Sequence, residues 1–208
     1  MIRHDNKLIC GLLRGKRGCV REFQKHLSCT IMIDISFTPF PFLATENYAL
    51  RNLLPEDEQE IFALRSSDEI NKYLDRPTAH TLDDARNFIT KIINNIAKNE
   101  SIFWVVTPKG ETKFLGSICL WGISREGATA EIGYELLPEN HGKGIMQEVI
   151  PRVIQFGFEE MKLETIEAEM SPRNLKSVRL LEKNNFTLAA VNEENPDSVV
   201  YALKRTKS

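Results

Sequence analysis

The stretch His141-Gly142-Lys143-Gly144-Ile145-Met146 places two glycines and a lysine where a strand-like run hands over to a helix-like one. The first turn of any helix carries main-chain N–H groups without intrahelical partners, and the helix dipole adds partial positive charge there. Glycines let a diphosphate approach that backbone, because no Cβ stands in the way. Lys143 adds a cation. The chemistry such a turn supports is phosphate binding. The pattern is not a Walker A loop, which needs G-x-x-x-x-G-K-[ST]. Nor is it a dinucleotide fingerprint, which would need glycine where Gln147 stands. A plain turn that caps a helix is the alternative on spacing alone.

Two further groups of residues could move protons. Glu131 and Glu135 share one parity of an expected strand, so both reach the same face unless a bulge intervenes. Either carboxylate is a candidate general base; a solvated strand surface is the plain alternative. Farther along, Asn174 and Ser177 meet at i, i+3 on a helix. The Ser177 hydroxyl is a candidate hydrogen-bond donor to a leaving group, and Asn174 either orients a ligand or caps the helix. Tyr134 has the opposite parity and reads as core, while Trp104 and Trp121 read as core or pocket walls. His4, His26 and His80 have no partner spacing.

These groups need a scaffold, and the chain is punctuated accordingly. Pro39 and Pro41 mark an extended lead-in, and Tyr48 to Leu53 reads as a strand. Pro55-Glu56-Asp57 opens a helix with Ile61, Phe62 and Leu64 as its buried stripe, and a short helix is expected over 68–74. Thr81 and Asp84 form a loose capping box for a helix carrying Phe88, Ile89, Ile92, Ile93 and Ile96. Strands are expected at 102–107, 114–121 and 128–137, joined by turns short enough for an antiparallel meander. A helix with Ile145, Val149, Val153, Ile154 and Phe158 on one face follows, with Pro151 expected to kink it. A strand at 163–169, a helix at 173–184 and strands at 186–191 and 198–203 complete the chain. The fold class is therefore mixed α/β, of the α+β type: one domain with a mostly antiparallel sheet of about seven strands flanked by helices.

The order of these parts resembles the GNAT superfamily of N-acetyltransferases. Within it, the chain looks most like the branch that acetylates the N-termini of ribosomal proteins (RimJ/RimL-like). The resemblance covers about residues 43–204 and rests on Thr45 to Arg51, Phe114 to Ile118, Glu131-Ile132-Gly133-Tyr134, Gly142-Lys143-Gly144 and the run Asn174 to Phe186. Glu139 stands where the family's turn has Gln or Arg, Asn185 where Gly precedes Phe186, and Glu135 where many relatives carry an aromatic residue. The resemblance implies a sheet splayed between the strands at 128–137 and 163–169, with acetyl-CoA as co-substrate in the gap. It implies pantetheine contacts near Leu136 and Leu137 and a diphosphate held by His141, Gly142, Lys143, Gly144, Ile145 and Met146. Asn174 and Ser177 would complete the cofactor set, and Ser177, Glu131 and Glu135 the catalytic one.

Composition bounds the partners. With 42% hydrophobic and 27% charged residues, the chain can bury a core, and a net charge of −2 gives no basic excess for nucleic acid. No apolar run approaches a membrane span and no signal peptide is present, so a cytoplasmic location is expected and a membrane partner is not. Cys10, Cys19, Cys29 and Cys119 form no CxxC pair, and no metal constellation is expected. Residues 1–31 hold seven Lys or Arg against two acids and read as a loosely attached basic extension before an acetyltransferase domain at 32–208. An RNA or ribosome contact through that arm is a competing reading, as is a non-catalytic acyl-CoA-binding module of the same fold. The acceptor is expected to be a primary amine on a protein N-terminus or a small molecule, and a homodimer is one option for assembly.

Overall fold

A computed structural model describes residues 32–73, 76–191 and 197–206. The expected basic extension, with Cys10, Cys19, Cys29, His4 and His26, lies outside the described residues. The eight strands are β1 (Leu43–Ala44), β2 (Tyr48–Asn52), β3 (Ile102–Pro108), β4 (Gly116–Ser124), β5 (Thr129–Leu136), β6 (Thr165–Met170), β7 (Thr187–Val191) and β8 (Val199–Lys204). They form one sheet in the order β1-β2-β3-β4-β5-β6-β8-β7. One strand more than expected appears because β1 has two residues, too few to show a period. Every pairing is antiparallel except β5 with β6.

Both faces of the sheet are covered, and β3 shows how. Ile102, Trp104 and Val106 enter one core; Phe103 and Val105 enter the other. A strand buried on both sides reads as a continuous apolar run, which is what 102–106 is. Helix α4 (Ile145–Glu159) covers the first face through Val149, Ile150, Val153 and Phe156, with Phe156 edge-on to Trp104 at 5.3 Å. Helix α5 (Leu175–Lys183) adds Leu181 to this core. Helices α1 (Glu58–Ser66) and α3 (Leu82–Ala97) cover the second face through Ile61, Leu64, Ala85 and Ile89. The short α2 (Asp68–Asn71) lies between them in the chain and is shorter than expected.

The helix ends follow local chemistry. The Thr81 hydroxyl accepts the Asp84 amide, and the Asp84 carboxylate accepts the amides of His80 and Thr81. Of the apolar residues expected at helical spacing on α3, Ile89 is buried, Phe88, Ile92 and Ile96 pack against the same core, and Ile93 is exposed. Asp57 is buried because Arg51 grips it with two bonds of 2.8 and 2.7 Å, while its Oδ2 also accepts the Leu54 amide. Pro151 does not end α4, which continues to Glu159. It sits on the exposed side, so the acceptor it fails to serve, the Gln147 carbonyl, belongs to the helix's outer part.

Candidate active site

The parallel pairing of β5 and β6 runs only from Thr129↔Thr165 to Glu131↔Glu167. Beyond it the strands part, and β5 continues to Leu136 without a neighbour on that side. The gap opens a cleft of about 780 Å³ that reaches the start of α4 and the inner side of α5. At its base, Gly142 and Gly144 adopt φ of 74° and 77°. These are left-handed values that suit glycine, and they turn the chain into α4. The first bond inside the helix runs from the Glu148 amide to the Gly144 carbonyl, which leaves the preceding amides without helical acceptors.

Of the residues expected around a bound cofactor, Leu136, His141, Gly142, Gly144, Ile145, Met146, Asn174 and Ser177 line this cleft. Leu137 and Lys143 stand apart. Both main-chain groups of Leu137 are bonded within the protein, its amide to the Leu115 carbonyl at 3.0 Å and its carbonyl to the Asn140 amide at 2.8 Å. Its side chain is buried under the helices. Lys143 reaches the Asn140 carboxamide at 3.3 Å instead of the cleft. The Leu136 carbonyl bonds His141 Nε2 at 3.0 Å. Asn174 caps α5 by accepting the Ser177 amide at 3.2 Å. Sequence reading missed the cations that face the cleft: Arg173, Lys176, Arg179 and Lys183. They become neighbours of the glycine turn only when the sheet closes.

On the other face of the sheet lies a second cavity of about 1160 Å³. Its floor is made of odd-numbered residues: Phe103 on β3, Ser117, Cys119 and Trp121 on β4, Glu131 and Glu135 on β5. The registers Cys119↔Gly133, Ser117↔Glu135 and Trp121↔Glu131 align them. Bare Gly133 keeps this floor low, since a Cβ there would stand 3.1 Å from Cys119 Sγ and 3.7 Å from the Trp121 indole nitrogen. After Trp121 the register shifts. Gly122 takes φ 58° there, and a Cβ on it would stand 3.3 Å from Glu131 Oε1. The bulge thus leaves open space beside that carboxylate. The position of the bulge, with Gly122 in it, was not foreseen.

The two glutamates have different surroundings. Glu135 is held by Arg76 at 2.8 Å, with both side chains largely buried. Arg76 is itself anchored by Asn71 Oδ1 at 2.9 Å and the Leu64 carbonyl at 3.3 Å. Glu131 has no ion-pair partner among the described residues. Burial pushes its pKa up, and the nearby charges of Glu169 and Glu167 push the same way. Cys119 is a poor nucleophile, because burial raises its thiol to about 12. The Tyr134 hydroxyl faces the cofactor cleft and is buried without a hydrogen-bond partner. Burial raises it to about 12, while the nearby Ser177 side chain pulls it down without reaching bonding geometry. Trp104 is core, Trp121 is a half-exposed cavity wall, and His80 is exposed.

The model of the acetyltransferase (GNAT) domain matches residues 48–187, most of the described chain. The chain belongs to the GNAT acetyltransferases. It is an N-acetyltransferase, with acetyl-CoA as the co-substrate of its family. The N-acetyltransferase YoaA of Bacillus subtilis (strain 168) is 31% identical over 147 residues, covering 71% of this chain and 83% of YoaA. A GNAT-family acetyltransferase from Bacillus anthracis superposes with a TM-score of 0.67 at 26% identity, covering 79% of this chain and 98% of that one. The microcin C7 self-immunity acetyltransferase MccE, solved with acetyl-CoA and AMP, shares the fold at a TM-score of 0.71 and 22% identity, covering 83% and 100%. The acetyltransferase has residues suited to an anionic acyl carrier: left-handed glycines, free helix amides and a cationic α5. Among its described residues, no helix is long and apolar enough to cross a membrane.

Proposed function

We propose that this acetyltransferase moves acetyl onto a primary amine that enters through the larger cavity, with Glu131 taking the proton. The observation that carries this is the meeting of the two cavities. Both are lined by Tyr73, Tyr134 and Glu135, so a donor on one side and an acceptor on the other converge at the splay. The acceptor is an amine of a protein N-terminus or of a small molecule. The ribosomal-protein branch belongs to this reading as one source of such N-termini.

Bound acetyl-CoA supplies a thioester carbonyl and a thiol leaving group. The chain's own residues do the rest. Amides of Gly144 to Gln147 and the cations of α5 hold the phosphates. Glu131 accepts a proton from the attacking amine, directly or through one water. An α-amine has a pKa near 8, so roughly a tenth is already neutral at pH 7, and a weak base suffices. Glu135, locked to Arg76, shapes the junction of the cavities. As the C–S bond breaks, the sulfur carries away the electron pair and accepts a hydrogen bond from Ser177, with the Tyr134 hydroxyl close by.

Release of free thiol from acetyl-CoA across a panel of amines and Ser- or Ala-initiated peptides tests the reading. Turnover with at least one acceptor is expected; uptake of the donor with no turnover on any acceptor would favour a binding module. Within that assay, Ser177→Ala is expected to lower kcat about tenfold, since a thiol of pKa near 8.5 leaves with little help. Tyr134→Phe should cost a similar factor. If both variants turn over at the parental rate, neither hydroxyl serves the leaving group.

A further inference from the structure

The larger cavity is electrically lopsided. Its cations project from the helical wall: Arg65 from α1, Lys91 from α3 and Lys72 just after α2. Of its acids, Glu131 and Glu169 stand at the splay on β5 and β6, while Glu100 follows α3. Two pairs cancel within the protein, Arg76 with Glu135 at 2.8 Å and Arg173 with Asp197 at 2.9 Å. Glu169 is engaged by the Ser198 hydroxyl at 2.6 Å.

Arg65 is different. Its guanidinium lies 4.1 Å from the centroid of the Phe88 ring, and that ring stands edge-on to Phe103 of the floor at 6.0 Å. It is half-buried, and it forms no ion pair or side-chain hydrogen bond among the described residues. Burial, and then the like charge of Arg76, work against its charged form, while the Glu135 carboxylate favours it. The carboxylate that acts on Arg65, Glu135, is already bonded to Arg76. The wall therefore presents to the cavity a guanidinium with no ion-pair partner of its own among the described residues. A planar fork braced on an aromatic ring is preorganised to take an oxyanion in two parallel bonds. Ser101 lines the same cavity with a buried hydroxyl that has no hydrogen-bond partner among the described residues.

We propose that the acceptor carries an anionic group, a carboxylate or phosphate, which Arg65 binds while the amine lies at Glu131. This deepens the reading above and rests on it. The anion has two possible sources, a small amino acid-like molecule or an acidic side chain next to a peptide N-terminus.

One set of measurements separates them. Acetylation of the series glycine to 6-aminohexanoate is compared with that of the matching primary amides, each rate corrected for the neutral-amine fraction. A parallel arm compares peptides beginning Ser-Glu with those beginning Ser-Gln. In one arm the carboxylate form is expected to exceed its neutral match at least tenfold in kcat/KM. In Arg65→Gln that ratio should fall towards one through a rise in KM rather than a fall in kcat, and Arg65→Lys should restore part of it. Coenzyme A affinity by calorimetry checks that each variant is folded. Equal rates for carboxylate and neutral forms in both arms would overturn the proposal, as would a preference that survives Arg65→Gln. Absence of thiol release with every amine is a separate outcome and would condemn the acetyl-transfer reading itself.

Discussion

Glu131→Gln is expected to lower kcat about a hundredfold at pH 7, with little change in affinity for coenzyme A. Positioned general bases contribute roughly 10²- to 10⁴-fold, and the lower end applies because an α-amine is partly neutral already. The deficit should shrink as pH rises past about 8, where the amine no longer needs a base. A steady-state pH series on both proteins measures this. The parental rate should climb over a range above the usual carboxylate pKa, because burial and the neighbouring Glu169 and Glu167 hold the Glu131 proton on longer. If Glu131→Gln keeps kcat within a factor of about three at pH 7, the base is elsewhere.

The same variant carries a stability signature of the opposite sign. The folded-state pKa of Glu131 is raised, so between about 4.3 and that raised value the native state holds more protons than the unfolded one. Stability attributable to this group is therefore present at low pH and lost as pH rises through the folded pKa. Above that value the native protein bears a half-buried, unpaired charge. Glutamine removes it, so the variant should melt higher than the parent at neutral pH, and the difference should vanish towards pH 4. A loss of activity joined to a gain in melting temperature distinguishes a catalytic carboxylate from a structural one.

Glu135 shows why sequence alone left two bases open. The strand parity that puts it on the same face as Glu131 was legible, and both glutamates do line one cavity. Its partner Arg76 lies 59 residues away in the chain, and no local pattern announces such a pairing. The same holds for the Arg65 stack on Phe88 and for Arg179 opposite the glycine turn. Local signals fared better. The Thr81–Asp84 capping box, the apolar run of β3 and the glycine turn each depend on residues within a few positions of one another. The surroundings of Leu137 were illegible for a different reason. Its main-chain groups were consumed by Leu115 and Asn140, a choice that depends on how the turn folds.

Replacing both Gly142 and Gly144 by alanine should weaken use of acetyl-CoA through binding, with KM and Kd for the cofactor rising together by at least about thirtyfold. Neither position lacks room: apart from the glycine and its chain neighbours, no heavy atom would lie within 4 Å of a Cβ built at either site. The cost arises from the backbone, since φ of 74° and 77° costs an L-residue roughly 1–2 kcal/mol each. Two such terms amount to about 2–4 kcal/mol, a factor of about thirty to several hundred if the loop relaxes and the cost falls on binding. The core of α4, anchored by Val149, Ile150 and Val153, does not depend on the turn, so the melting temperature should fall by a few degrees at most. Calorimetric titration with coenzyme A separates the possibilities. Parental affinity in the double variant would mean that the open space beside the two glycines is not where the diphosphate lies. The cationic side of α5, and Arg179 with Lys183 in particular, would then carry the cofactor instead.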